Sequence, residues 1–72
     1  MLFNRIEIGK VYKPTIDSQY QGYGFMKVVE KMPRDHRDSA LDVNLVKVLH
    51  NQSKNFDFAI VRWVKPKDLD DF

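Results

Sequence analysis

Residues 56–72 read FDFAIVRWVKPKDLDDF, and their order decides the fold. The run Phe58-Ala59-Ile60-Val61-Arg62-Trp63-Val64 has the β-branched and aromatic make-up of a strand, buried on one face and partly covered on the other. Phe58 and Ile60 alternate with Ala59, Val61 and Trp63 across its two faces. Pro66 cannot donate to a ladder, and Asp68 stands where a short helical turn begins. The stretch therefore predicts a last long strand, with Phe58, Ile60 and Trp63 in the core. A terminal turn over residues 66–69 follows, with Leu69 or Phe72 packing back.

Working outward, three more segments have strand character. They are residues 6–13 (IEIGKVYK), 23–32 (YGFMKVVEKM) and 43–49 (VNLVKVL). Loops over 14–22, 33–40 and 51–55 separate them, and Asn51-Gln52-Ser53-Lys54-Asn55 has the length and residues of a hairpin connection. Residues 39–51 also admit a helix, capped by Ser39 and apolar along Leu41, Leu45, Val48 and Leu49. Val43, Val46 and Val48 favour the strand, because β-branched side chains lose rotamer freedom in a helix. In the second segment Met26, Val28 and Met32 fall on one side, Phe25 and Val29 on the other. Strands apolar on both sides suit a small, strongly bent barrel, and dimerisation through one face would produce the same pattern.

Seventy-two residues make one small domain, which buries only about 60% of its unfolded surface. Without cysteine, no disulfide or thiolate metal site can staple it, so nine aromatics and the Val, Ile and Leu runs must supply the core. No stretch approaches the roughly 18 apolar residues of a membrane span, and Met1-Leu2-Phe3-Asn4-Arg5 does not resemble a signal peptide. The expectation is a complete small cytoplasmic protein with no membrane role. The net charge of +2 hides an asymmetry. All twelve Lys and Arg lie in residues 1–67 against seven acids, whereas residues 68–72 carry Asp68, Asp70 and Asp71 and no base.

Gly9-Lys10-Val11-Tyr12, the polar stretch 14–22 and the ending Trp63-Val64-Lys65-Pro66-Lys67-Asp68-Leu69 together resemble an SH3-like small β-barrel. They are similar to its first strand, first loop and terminal single-turn helix. The resemblance implies an all-β domain of four to five bent antiparallel strands with a short C-terminal 3-10 turn. The chain departs from signalling SH3 domains, having neither their acidic first loop nor an Ala-Leu-Tyr motif. Proline-rich peptide binding is therefore not carried over. Bacterial and phage members of the class, and Tudor- and KOW-type barrels, are closer in character; they bind proteins or nucleic acids and rarely catalyse.

No residue pattern supports catalysis. Gly22-Tyr23-Gly24 precedes a strand rather than opening a helix, so it reads as a tight turn or bulge and not a phosphate loop. His36-Arg37-Asp38 spells the start of a kinase catalytic loop, but Val43 stands where that motif needs asparagine. Asp35, His36 and Asp38 read as an exposed mixed-charge loop, His50 as a hairpin flank and the terminal aspartates as a solvated tail. No catalytic residue, metal site or cofactor is assigned. The expected function is a non-catalytic module docking a protein partner through Tyr20, Tyr23, Arg34 and Arg37, in a bacterial or phage accessory role. The alternative is nucleic-acid binding through Lys10, Lys27, Lys47 and Arg62, with exposed tyrosines as stacking platforms. A homodimer is a further expectation, because the core is small.

Overall fold

The computed structural model describes residues 1–33 and 44–72. They form one antiparallel sheet of five strands curled into a half-barrel, in the order β4-β3-β2-β1-β5. The strands are β1 (Val11–Pro14), β2 (Phe25–Met32), β3 (Leu45–Asn51), β4 (Ile60–Val64) and β5 (Leu69–Asp70). Residues 45–51 are strand and not helix; residues 39–43 lie outside the described residues. Among the described residues the only helical pieces are 3-10 turns, including Pro66–Asp68, where the ending of the sequence requires one. There the Lys65 N–H donates to the Asp68 carboxylate at 3.0 Å, and Pro66 begins the turn because its missing N–H is not needed there. Thr15 ties this turn to the end of β1, its N–H donating to the Asp68 carbonyl and its hydroxyl to that of Lys67.

The concave face holds the core. Tyr12, Met26, Val28, Val46, Val48, Val64 and Leu69 are buried there with Ile6, and Met1, Phe3 and Tyr20 pack against them. Cross-strand register explains the set: Tyr12 lies opposite Met26, Val28 opposite Val48, and Val46 opposite Val64, so successive cross-strand pairs put their side chains on the same face of the sheet. In β3 the even residues Val46, Val48 and His50 are buried and the odd ones only partly so, the period of two that a sheet with one covered face demands.

Three expectations need correction. The first strand begins at Val11 and not at residue 6: Phe3–Arg5 is a 3-10 turn, and the Lys10 N–H closes a further turn onto the Glu7 carbonyl, with Gly9 at φ 91°. The second strand carries a bulge at Val29, since Val28 faces Val48 while Glu30 faces Lys47. The extra residue exchanges the faces beyond it, so Lys31 rather than Met32 turns inward opposite Val46. Its ammonium donates to the Ile6 carbonyl at 2.9 Å and lies over the Phe3 ring. Last, residues 56–58 form a 3-10 turn, not strand, and Phe58, Ile60 and Trp63 are not core residues. Among the described residues β4 ends the sheet, with a neighbour on one side only.

Candidate functional site

β4 is where apolar surface meets open solvent. Phe58 is 82% exposed, Ile60 59%, Val61 53% and Trp63 40%. Ile60 lies opposite His50 at the rim of the concave face, and Val61 lies opposite Leu49 on the convex face. Trp63 shares that convex face with Lys47, whose ammonium sits 5.9 Å from the ring centroid. One edge therefore presents apolar side chains on both faces of a strand whose outer backbone row is unpaired among the described residues. The single charge inside β4, Arg62, turns inward and does not blunt the edge.

Arg62 is held by an ordered cluster. Its Nε donates to His50 Nδ1 at 3.0 Å, and its guanidinium lies 5.0 Å from the centroid of the Tyr20 ring. Tyr20 in turn meets the His50 ring edge-on, with centroids 5.7 Å apart. The other imidazole nitrogen, Nε2, bonds the Tyr23 backbone carbonyl. A guanidinium only donates and a carbonyl only accepts, so the buried His50 is neutral with its proton on Nε2. Long-range 1H–15N correlation at neutral pH is expected to show a protonated Nε2 and a bare Nδ1; the opposite tautomer would refute the cluster. Nothing in the sequence pairs His50 with Arg62, because the β3–β4 register alone makes them neighbours.

Beside this cluster Tyr23, Gln52, Phe58 and Ile60 border a shallow cleft of about 300 Å³, floored by His50 and Arg62. Of the residues proposed from sequence to dock a protein, Tyr23 is exposed and lines this cleft. Tyr20 is half-buried beneath Arg62 and supports the cleft from inside. Arg34 and Arg37 lie outside the described residues, as do Asp35, His36 and Asp38. Phe58, Ile60, Val61 and Trp63 were missed as site residues because an edge strand and a central strand share one apolar pattern.

The four cations of the nucleic-acid alternative do not share one track. Lys27 and Lys47 lie on the convex face, opposite Leu49 and Trp63. Arg62 is on the concave side, and Lys10 is paired with Asp71 at 3.2 Å and with Glu7 at 3.7 Å. The hydrogen bond and charge of Asp71, helped by Tyr12 and Glu7, hold the Lys10 ammonium pKa above its ordinary 10.5. That raised pKa favours the fold below pH 10.5, and the benefit is lost as pH rises through it; in an exposed pair it is small. A second aromatic group stands near the hairpin, where Phe72 packs on Phe25 at 5.4 Å and Lys54 lies over both rings.

Among the described residues no three His, Asp or Glu side chains could hold a metal ion, and no helix is long and apolar enough to cross a membrane. Comparison of the chain with protein-family models, with curated proteins and with solved structures finds no match.

Proposed function

We propose that this chain is a non-catalytic binding module that docks a protein by adding a strand to the free edge of β4. The observation that carries this reading is the exposure of Phe58, Ile60, Val61 and Trp63 along an edge that has no second neighbour among the described residues. Soluble domains protect such edges with charge, proline or a covering loop, because the unpaired N–H and C=O groups otherwise recruit another chain. Here the one charge in the strand is committed inward to His50 and Tyr20. Main-chain bonds would give a docked strand its affinity, and the Tyr23–Phe58–Ile60 cleft on one face and Trp63 on the other would give it side-chain preference.

Trp63 is the only tryptophan and reports on its own edge. Extended peptides selected from a display library against the wild-type chain are expected to shift Trp63 emission to the blue. They should lose binding to Val61→Lys, a substitution at an exposed site that places a charge on the edge. Peptides that bind the variant equally well would remove β4 as the docking site. Salt-steep binding to single-stranded DNA, with no peptide selected, would move the module to the nucleic-acid class.

A further inference from the structure

We propose that the strand added to β4 is the β4 of a second copy, so that two sheets join about a two-fold axis into one continuous sheet. This rests on the β4 edge being the docking site and names its occupant. In a symmetric antiparallel pair, residues that face each other lie on the same side of the sheet, so only alternate registers are allowed. Centring the axis on Arg62 sets two guanidinium groups opposite each other, which is destabilising. Centring it on Trp63 sets the apolar Val61 opposite the exposed, charged Lys65 of the second copy.

Centring it on Val61 removes both faults. Val61 then faces Val61, Ile60 faces Arg62, and the small Ala59 faces the large Trp63. Asp57, in the 3-10 turn that precedes β4, then falls level with Lys65, just after the strand, so each end of the joint brings opposite charges together. Both residues are exposed and make no ion pair with each other within one chain. The strand is thus complementary to itself in charge and in size. The four exposed side chains offer on the order of 500 Å² per copy, about 1,000 Å² in the pair, at the low end for a specific interface. Such a dimer forms and dissociates with concentration.

Because the chain contains no cysteine, a single introduced one reports alone. In the Val61-centred register two Val61 Cα atoms stand about 4.5–5.5 Å apart, within disulfide reach, whereas Ile60 is displaced from its own copy by more than about 7 Å. With oxidised glutathione as oxidant, Val61→Cys is expected to form a cross-linked dimer about ten times faster than Ile60→Cys. Sedimentation velocity of the wild type from about 10 μM to about 1 mM should show monomer passing to dimer, and Val61→Lys should stay monomeric. A wild type that remains monomeric while peptides still shift Trp63 would overturn the second copy and leave edge docking standing. Monomer with no peptide bound would overturn both. A dimer whose Val61→Cys and Ile60→Cys cross-link at equal rates would overturn the register.

Discussion

Gly24→Ala is expected to cost about 2–5 kcal/mol, whereas Gly22→Ala, two residues earlier, costs about 1–2 kcal/mol. Both glycines have positive φ, 71° and 82°, so both variants bear the penalty of a left-handed residue with a Cβ. Only at Gly24 is there no room. A Cβ there would stand 2.5 Å from the Gln52 Cα and 2.9 Å from the Asn51 carbonyl carbon, and closer still to its oxygen. These are backbone atoms and cannot swing aside. Phe25 pairs with Asn51 at this point, so relief requires parting β2 from β3, the longest ladder of the sheet. It would also displace the Tyr23 carbonyl that orients His50. A domain of this length has about 4–11 kcal/mol in total, so Gly24→Ala removes a large share of it. Urea unfolding followed by Trp63 emission measures both variants, and equal midpoints would show that the close approach is absent.

The parts of this fold that were legible in the sequence are those fixed by local chemistry. Pro66 and Asp68 mark a terminal turn whatever surrounds them, Asn51 to Asn55 supply turn residues, and Leu69 is an apolar residue placed to pack back. What stayed hidden depends on neighbours. Val61 and Trp63 carry the same apolar signal on an edge as in the centre of a sheet, so their exposure follows from strand order, which no periodicity encodes. The bulge at Val29 inserts one residue without a glycine or proline to mark it, and this turned Lys31 inward against expectation. His50 reads from sequence as a hairpin flank, yet β3 runs on to Asn51 and buries His50 within it; its bonds to Arg62 and to the Tyr23 carbonyl come from segments 12 and 27 residues away. The site shares that fate. Tyr23 was visible as an exposed aromatic beside a polar loop, but the edge it adjoins was assigned to the interior.

Tyr12→Ala is expected to leave the chain mostly unfolded at low concentration. Among the described residues Tyr12 is the largest of the fully buried side chains, in a core of eight buried apolar residues. Truncating a buried aromatic costs about 3–5 kcal/mol, and its hydroxyl, which accepts the Glu7 N–H at 2.9 Å, adds roughly 1 kcal/mol. Tyr12→Phe isolates that second part and should remain folded. The two variants also test how the small core and the open edge are connected. If β4 closes on a second copy, folding is linked to association, and the unfolding midpoint rises with protein concentration. Tyr12→Phe should then unfold at a urea midpoint that climbs between dilute and concentrated samples, in parallel with the wild type. Adding Val61→Lys should abolish the climb without changing the dilute midpoint by more than about 0.5 kcal/mol, as befits an exposed substitution. A midpoint independent of concentration in every variant would mean that the core around Tyr12 stabilises the monomer unaided. The apolar edge of β4 would then be free to serve a different protein.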